Sequence, residues 1–410
     1  MINKTTLPSG VRILSELIPT VRSVAVGVWV DSGSRNDPEH MAGISHLVEH
    51  AVFKGTKKRR MHQIANRMES VGGYINAFTS KEHTCYFARS LDRHLTRGVD
   101  STCDLVTSPI FPVHEIEKEK SVVLEEMKMY EDTPEEYIVD EFESIIYPYQ
   151  SIGRPIIGYP DTVSKIQQDD LFEYVSKQYI PNQIVVTASG NIQHKVLVKS
   201  VEKAFKELRP SNVNSAHDAK SCSYRPQEVS LTRPIQQAHL ILGRLGISIH
   251  SKRRAVLELM NLILGGGSSS RLNQKIRERY GFCYNIYSFV NMHSDCGDFG
   301  VYLGLASSKI QHSIRLIFRE FERLAQQPVT QRVLARAKEQ ARGGIILGLE
   351  SMSNRMMRLG KQELYFGRVI SIEDTLEELE LVTAEDLQDF ASQFLQPDLF
   401  SRVILTPSPK

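Results

Sequence analysis

Alternating hydrophobic positions mark the first clear strand of the chain. Val24, Val26, Val28 and Val30 occupy every second position of one short run. A two-residue period of β-branched side chains is typical of a β-strand. Similar apolar runs beside Gly, Pro or Asn turn signals predict further strands at residues 11–14, 74–79, 84–88, 184–188 and 402–406.

Helical spacing of apolar residues follows in several places. Ile64, Met68 and Val71 recur at intervals of three and four residues. A longer helix is expected from His114 to about Tyr130, with an apolar stripe formed by Ile116, Val123, Met127 and Tyr130. Further helices are predicted at residues 91–107, 141–146 and 169–179, with a turn around Pro134 at residues 131–136.

The second half of the chain repeats the hydrophobic pattern of the first at an offset of about 216 residues. Val24 and Val26 fall on Leu240 and Leu242. The other matches are Pro112-Val113 with Pro328-Val329, Asp170-Leu171 with Asp386-Leu387, Tyr174 with Phe390, and Pro181 with Pro397. Two copies of one α/β unit explain this pattern, and the predicted fold is therefore an α+β chain of two homologous domains.

The length of 410 residues also favours two domains, because single hydrophobic cores stop growing at roughly 250–300 residues. The stretch from Pro210 to Glu228 is polar and irregular, which is typical of a linker. We therefore expect an N-terminal domain at residues 1–212, a linker at 213–228 and a C-terminal domain at 229–410.

One five-residue stretch carries candidate chemistry: His46-Leu47-Val48-Glu49-His50, which reads H-x-x-E-H. On a helix, the two histidines lie four residues apart on one face, with Glu49 beside that face. Neutral imidazoles and an adjacent carboxylate are what a catalytic zinc site requires. The order is the inverted form of the H-E-x-x-H zinc protease motif.

The predicted helix from His114 supplies candidates for a third zinc ligand. Two histidines and one glutamate, with one open position, form a known catalytic arrangement. Glu126 could be that ligand, and Glu119, nearly two turns earlier on the same face, could hold a ligand in place. Spacing alone leaves Glu125 and Glu115 open as the ligand.

The internal repeat offers a test of these five chemical positions. At an offset of 216 they fall on residues that lack the required groups, namely Leu262, Gly265, Gly266, Ala335 and Arg342 for His46, Glu49, His50, Glu119 and Glu126. The hydrophobic pattern survives in the second copy while all five chemical groups are absent. The fold therefore does not need them, which favours a chemical role in the first domain.

Charge and cysteine content narrow the class of protein. The net charge of +2 does not indicate a nucleic-acid or membrane partner. Five cysteines, an odd number with no C-x-x-C pair, indicate free thiols in a reducing compartment: Cys85, Cys103, Cys222, Cys283 and Cys296. Because the first 19 residues also lack an apolar stretch of signal-peptide length, we expect a cytoplasmic protein.

The second copy has candidates of its own. Gly265-Gly266-Gly267 and the three serines after it predict a flexible loop that follows a helix. A phosphate-binding loop is the rival interpretation, but the required G-K-[ST] ending is absent. Arg277 and Tyr284 flank the point near Gly281 where a helix gives way to a strand, and on their own they indicate ordinary surface and core residues.

With these motifs in place, the chain resembles the pitrilysin/insulinase family of zinc peptidases. It is similar in particular to bacterial processing proteases and to the β-subunit of the mitochondrial processing peptidase. The resemblance covers essentially the whole chain and rests on H-x-x-E-H, on the pair Glu119 and Glu126, and on the spacing from His50 to Glu126. The runs Phe53–Thr56 and Asn76–Thr79 also resemble those of the family.

The resemblance implies a set of roles for the first domain. One Zn²⁺ per chain would be held by His46, His50 and Glu126, which selects Glu126 over Glu125, and Glu119 would support the ligands. Each domain would be a mostly antiparallel sheet packed with helices, and the two would close like a clamshell on an extended peptide. The strand that contains Asn76, Ala77 and Phe78 would be a sheet edge that pairs with the substrate backbone.

The resemblance also changes the interpretation of two residues in the second domain. Arg277 and Tyr284 match an arginine and a tyrosine that reach the family's active site from that domain, so both become candidate catalytic residues. The family run Gly-Leu-Ala-Tyr reads Gly281-Phe282-Cys283-Tyr284 here. Single-chain members of the family of this length commonly pair as dimers, so the resemblance also implies a homodimer.

The expected function is a zinc-dependent endopeptidase that acts on peptides or extended protein segments. Glu49 would be the general base toward zinc-activated water. One alternative is a non-catalytic scaffold subunit of the same fold, and another is one subunit of a hetero-oligomeric processing peptidase. The complete set of His46, Glu49, His50 and Glu126, with Arg277 in the same chain, favours a self-sufficient enzyme.

Overall fold

The computed structural model describes residues 2–207 and 224–408. Its strands are β1 (Ile2–Thr6), β2 (Arg12–Leu17), β3 (Ser23–Val30), β4 (Tyr74–Thr79), β5 (Thr84–Leu91), β6 (Ile184–Gly190), β7 (Glu228–Arg233), β8 (Ala238–Leu245), β9 (Cys283–Met292), β10 (Gly297–Leu305) and β11 (Ser401–Pro407).

The α-helices of the described residues lie between these strands, in groups of one to five. They are α1 (Ile44–Val52), α2 (Met61–Glu69), α3 (Leu95–Thr107), α4 (Val113–Asp132), α5 (Pro134–Ile146), α6 (Pro160–Val163), α7 (Gln168–Gln178), α8 (His194–Ala204), α9 (Arg254–Gly265), α10 (Ile310–Gln326), α11 (Gln331–Gly348), α12 (Met352–Phe366), α13 (Ile372–Leu381) and α14 (Ala384–Phe394). A π-helical segment covers Asn273–Arg279. None of these helices combines the length and apolar composition that a membrane span requires.

The chain forms two compact units that do not follow its two halves. The first unit consists of Met1–Lys128, Arg154–Asp218 and Gly348–Val369, and the second consists of Met129–Gly153, Ala219–Leu347 and Ile370–Lys410. This division differs from the expected one at residues 212 and 229, because α5 packs with the second unit and α12 packs with the first. Most of the predicted linker, residues 213–223, lies outside the described residues.

The first unit is built on a six-stranded sheet with the order β1-β2-β6-β3-β5-β4. Its central strand β3 explains the alternation seen in the sequence, because both of its faces are buried. Val24, Val26 and Val28 pack into the core that includes α1 and α3. Ala25 and Trp29 point to the other face, where they pack with Met356 of α12.

The second unit is built on a five-stranded sheet with the order β7-β11-β8-β10-β9. Leu240 and Leu242 of β8 pack into a core that includes α9, α10 and α14. Ile241 faces the opposite side and packs with Phe142 of α5. Each sheet is therefore covered by helices on both faces, with one cover contributed by a segment from the other half of the sequence.

The two sheets confirm the internal repeat and the predicted α+β class. The strands β2, β6, β3, β5 and β4 correspond in order to β7, β11, β8, β10 and β9. In each sheet one pair is parallel, β2 with β6 and β7 with β11, and the other pairs are antiparallel. The mostly antiparallel architecture packed with helices agrees with the expectation.

The offset between the copies is less constant than the sequence suggests. It is 216 residues between the first residues of β2 and β7, but 210 between those of α1 and α9. The assignment of His46 to Leu262 at a fixed offset therefore needs correction at this helix. The conclusion drawn from it is unaffected, since α9 contains no histidine in any register.

The turn predicted at residues 131–136 is shorter than expected. Helix α4 continues to Asp132 and α5 begins at Pro134, with only Thr133 between them. Proline is well suited to the first position of a helix because its missing N–H would be unpaired there anyway. Here Pro134 starts a helix where the sequence suggested a turn, so α5 begins well before residue 141.

Candidate metal centre

The helix that carries the H-x-x-E-H motif starts at a residue that must be glycine. Gly43 has φ +96°, and a Cβ on it would lie 2.5 Å from the carbonyl oxygen of Ile157. Its N–H donates to Oδ2 of Asp37 at 2.9 Å, and the Ser45 hydroxyl donates to the same oxygen at 3.1 Å. Burial raises the pKa of Asp37 to about 7. These contacts fix the first turn of α1.

Helix α1 buries one face and leaves the chemical residues on the other. Its apolar face consists of Ile44, Leu47, Val48, Ala51 and Val52, all in the core of the first unit. His46, Glu49 and His50 are only partly buried. The imidazole rings of His46 and His50 lie 4.6 Å apart between centroids, as residues four apart on a helix should.

The structure brings Glu126 of α4 to these two histidines. Its Oε2 lies 4.0 Å from Nε2 of His46 and 3.8 Å from Nε2 of His50. The three residues form a group whose ligand atoms all lie within 4.8 Å of one another. It is the only cluster of three or more potential metal ligands found within residues 2–207 and 224–408. The motif and the helix from His114 therefore meet where the sequence predicted.

The other candidate glutamates of α4 point elsewhere. Glu125 has a 71% exposed side chain and pairs with Lys128. Glu115 pairs with Lys118 and His114 at the start of the helix. Of the alternatives that spacing left open, only Glu126 lies beside the histidines.

The donor set fits a zinc ion in chemistry and approximate size. Burial, with a smaller contribution from His50, lowers the pKa of His46 to about 3, so its ring is neutral and can donate a lone pair. Nδ1 of His46 is buried without a hydrogen-bond partner in the described structure. Zinc bonds of 2.0–2.1 Å place tetrahedral ligand atoms about 3.3 Å apart, so binding requires Oε2 of Glu126 to approach the nitrogen of each histidine by about half an ångström.

Glu119 orients one of the histidines. Its Oε2 accepts a hydrogen bond from Nδ1 of His50 at 3.2 Å. A proton held on Nδ1 leaves the lone pair on Nε2, the nitrogen that faces Glu126. The other oxygen of Glu119, Oε1, lies 2.7 Å from Nζ of Lys54. Glu119 is therefore a buried carboxylate with an assigned partner on each oxygen.

Glu49 is held by the strand opposite α1. The Thr79 hydroxyl donates to Oε2 of Glu49 at 2.5 Å. Burial raises the pKa of Glu49, with a smaller increase from Glu126, while the Thr79 and His50 contacts oppose the change. A raised pKa makes the carboxylate a stronger base near neutral pH.

Strand β4, which ends at Thr79, is the outermost strand of its sheet and pairs only with β5 among the described strands. This placement confirms that the strand with Asn76, Ala77 and Phe78 is an edge. The N–H of Ala77 donates to the side-chain Oδ1 of Asn76 at 2.9 Å. Pairing of this edge with a peptide backbone remains a prediction.

Arg277 and Tyr284 lie together in the second unit. The guanidinium carbon of Arg277, in the π-helical segment, is 5.6 Å from the ring centroid of Tyr284 at the start of β9. Tyr284 is 84% exposed, which is unusual for an aromatic residue and leaves it accessible to a ligand. Their catalytic role remains a prediction.

Within the described residues, Cys85, Cys103, Cys283 and Cys296 are thiols outside any disulfide, as the sequence predicted, while Cys222 lies outside those residues. Burial raises the pKa of Cys283 to about 11, so the neighbour of Tyr284 is a neutral thiol at neutral pH.

Two residues of this centre were not singled out from the sequence. Lys54 and Thr79 each contact a carboxylate of the site, and both belong to the family-like runs Phe53–Thr56 and Asn76–Thr79. The similarity of these runs to the family indicated functional segments, but the sequence of a segment does not show which of its side chains contacts a carboxylate.

Family models and curated relatives that match this chain are peptidase family M16 models and proteins named as zinc proteases. A family model described as "Insulinase (Peptidase family M16)" matches residues 12–159, and one described as "Peptidase M16 inactive domain" matches residues 165–341. The chain is 36% identical over 408 residues to a protein named as an uncharacterized zinc protease of Bacillus subtilis, covering 100% of this chain and 99% of that protein. A Streptomyces coelicolor protein of similar name is 36% identical over 402 residues, covering 96% and 87%.

Solved structures share the fold at lower identity. A protease from Helicobacter pylori superposes with a TM-score of 0.91 at 22% identity, covering 99% of this chain and 100% of that one. A Pseudomonas fluorescens structure described as a peptidase M16 inactive domain gives 0.91 at 20% identity, covering 100% and 98%. The two family models and the curated relatives together show that the chain belongs to the insulinase family, peptidase family M16.

Proposed function

We propose that this chain is a zinc-dependent endopeptidase that cleaves peptides or extended protein segments. The observation that carries the proposal is the meeting of His46, His50 and Glu126 within 4.8 Å, with the partly buried Glu49 on the same helix as the two histidines. The names of the curated relatives support the reaction class. Zinc bound by these three residues, one ion per chain, supplies Lewis acidity that polarises a carbonyl and makes water nucleophilic at neutral pH.

Glu49 is the group that moves the proton. Its Oε2 accepts the Thr79 hydrogen bond, so Oε1 is the oxygen left to take a proton from the attacking water. As the peptide bond breaks, Glu49 returns this proton to the departing amine, which leaves the carboxyl product and the regenerated carboxylate. Burial keeps His46 neutral, so it does not compete for that proton, and Glu119 orients His50.

The substrate is an extended segment because the available surface suits one. Strand β4 has no neighbouring strand on its outer side among the described strands, and its last residue contacts Glu49. A peptide that adds to this edge through Asn76, Ala77 and Phe78 would be held by main-chain hydrogen bonds, which are indifferent to sequence. Arg277 and Tyr284 of the second unit would assist by binding the substrate carbonyl or backbone.

The domain roles follow from the same distribution of residues. We assign residues 1–212 to the catalytic domain and residues 229–410 to a homologous domain without metal ligands. The absence of histidine from α9 and the description "inactive domain" for the model that matches residues 165–341 support this assignment. A processing role and a homodimer are finer proposals, which sedimentation and cleavage of presequence-like peptides would test.

The decisive experiment compares the parent with Glu49→Gln. An unstructured peptide mixture is incubated with each purified protein, products are identified by mass spectrometry, and zinc content is measured in both. We expect the parent to cleave and the variant to hold zinc without cleaving, while Glu125→Gln, a change at an exposed glutamate, behaves as the parent. A zinc-loaded parent that cleaves nothing alone would overturn the proposal in favour of a scaffold or a hetero-oligomeric subunit.

A further inference from the structure

We propose that Lys54 is a positioning residue of the metal centre, acting on His50 through Glu119. This inference rests on the proposed zinc site and extends it to a residue outside the ligand set. Nζ of Lys54 lies 2.7 Å from Oε1 of Glu119, and Oε2 of Glu119 accepts from Nδ1 of His50 at 3.2 Å. The three groups form one continuous chain of charge-assisted contacts that ends at a ligand.

Each oxygen of Glu119 has a separate task in this arrangement. The carboxylate is only 8% exposed, so it needs a compensating charge to remain inside the protein. Lys54 supplies that charge, because among the described residues it is the only lysine or arginine that forms an ion pair with Glu119. Because the lysine binds Oε1, Oε2 stays free for His50 and the carboxylate cannot rotate without breaking one of the two contacts.

The backbone around Lys54 is fixed independently of this contact. The Lys54 N–H donates to the carbonyl of Ala51 at 3.0 Å as α1 ends, and the carbonyl of Gly55 accepts from the N–H of Ile110 at 3.2 Å. The Thr56 hydroxyl then donates to the buried Asp104 at 2.6 Å. Removal of the Lys54 ammonium should therefore leave the segment in place and release only Glu119.

The consequence lies in zinc affinity. A histidine held in one tautomer and one orientation binds metal with less reorganisation, and loss of a group that holds a ligand typically weakens metal binding by 10–100-fold. Lys54 acts one step further from the ion, so we expect about a tenfold loss, at the lower end of that range. The fold of the metal-free chain should be unchanged.

The experiment measures the zinc dissociation constant of the metal-free full chain by competition with a fluorescent chelator. Lys54→Met should raise this constant about tenfold, and Lys54→Arg should restore it because arginine keeps the charge beside Glu119. The matched control is Lys128→Met, which breaks a lysine–glutamate pair of the same 2.7 Å length on the exposed face of α4. Thermal unfolding of the metal-free proteins should show that all of these variants are folded, with a lower melting temperature for Lys54→Met because its buried Glu119 carboxylate lacks a cation.

A double-mutant cycle tests the route through Glu119. In a Glu119→Gln background, Lys54→Met should produce little further loss of zinc affinity, because the group through which it acts is already changed. Additive losses would show that Lys54 acts by another route and would overturn the inference. If Lys54→Met does not fold without metal, Lys54→Gln repeats the test with a polar side chain.

The outcomes separate this inference from the proposed function. A parent chain that binds no zinc overturns both. A parent that binds zinc, with a Lys54→Met variant of equal affinity, overturns the role of Lys54 and leaves the peptidase proposal standing. A failure to cleave peptides leaves the affinity measurement, and hence the conclusion on Lys54, unaffected.

Discussion

Thr79 donates its hydroxyl hydrogen to the Glu49 carboxylate at 2.5 Å, which joins the last residue of an edge strand to the predicted general base. Thr79 ends β4, and Glu49 lies on α1 between the two histidines. The strand proposed to bind substrate and the carboxylate proposed to move the proton are therefore adjacent parts of one structure. A displacement of β4 would therefore change the position of the Glu49 carboxylate.

The first prediction concerns this hydrogen bond. Thr79→Val keeps the shape of the side chain but removes the donor, so Glu49 loses the contact that fixes its Oε2. We expect kcat to fall by about tenfold, which is less than the roughly 10²–10⁴-fold that general acid–base catalysis contributes because Glu49 itself remains, while zinc content is unchanged. Steady-state kinetics on a cleaved peptide will measure the effect, and Thr79→Ser should recover most of the rate. Equal activity of the valine and serine variants would contradict the prediction.

The second prediction separates two adjacent glutamates. Glu126→Gln replaces the carboxylate beside His46 and His50 with a poor zinc ligand, so zinc should be lost during dialysis and peptide cleavage should be abolished. Glu125→Gln changes an exposed residue that pairs only with Lys128, and it should retain zinc and activity. Metal analysis after dialysis against a chelator will decide between them. Retention of parental zinc by Glu126→Gln would require a different ligand.

The third prediction is a change in stability on metal removal. A chelator that strips zinc should lower the melting temperature, because an ion that binds only the folded state stabilises it by mass action. The same treatment of Glu126→Gln should have no effect, since that variant has no bound zinc to lose. Differential scanning fluorimetry with and without added zinc measures both. Identical shifts in the two proteins would point to zinc bound elsewhere.

The sequence predicted the residues of the candidate metal centre more fully than it predicted the residues that contact them. Two histidines four residues apart on a helix share one face, so the H-x-x-E-H motif alone predicted that the side chains of His46 and His50 lie next to each other. Glu126 was harder, because Glu125 and Glu115 lay on the same predicted helix and only the resemblance to a family selected one of them. The positions of Lys54 and Thr79 depend on how a loop and a strand meet two helices, which periodicity does not encode.

The internal repeat shows the same limit in the fold. Alternation and turn signals identified strands β2 to β6 and the existence of two copies, because these are local patterns. The sequence did not show that α5, from the first half of the chain, packs in the second unit, or that α12, from the second half, packs in the first unit. Either helix can cover a sheet by its apolar face, and the choice of sheet is set by long-range packing such as that of Met356 against Trp29.

The fourth prediction concerns pH and stability in the second unit. Asp298 is completely buried, and burial raises its pKa to about 7, with a further increase from Glu143 that His293, Tyr147 and Asn291 oppose. The unfolded carboxyl titrates near pH 3.9. Between these two values the folded state holds a proton that the unfolded chain has released, so stability from this group is present at low pH and is lost as pH rises toward 7.

Asp298→Asn should remove this dependence. The amide oxygen can still accept from Tyr147, which now donates to Oδ2 at 2.9 Å. We expect the difference in unfolding free energy between variant and parent to move in favour of the variant by a few kcal/mol between about pH 5 and 7.5. Urea unfolding at both values measures this double difference, which cancels the titration of other groups. Parallel pH profiles for the two proteins would refute the assignment.

The last prediction compares two glycines inside helices. Gly360 of α12 lies against Trp29, and a Cβ there would be 2.1 Å from Cε2 of the indole, which is fully buried and donates from Nε1 to the Thr187 hydroxyl. Since neither the ring nor the sheet can move away, Gly360→Ala should destabilise the first unit by about 2 kcal/mol or more, in the range of an overpacked core.

Gly344 of α11 has open space around its Cβ position, so Gly344→Ala should instead stabilise its helix by about 0.5–1 kcal/mol. Urea unfolding followed by circular dichroism and by the fluorescence of Trp29, the single tryptophan, will measure both changes. The opposite signs matter most, because a general intolerance of alanine would destabilise both variants, whereas contact with Trp29 penalises only the one at Gly360.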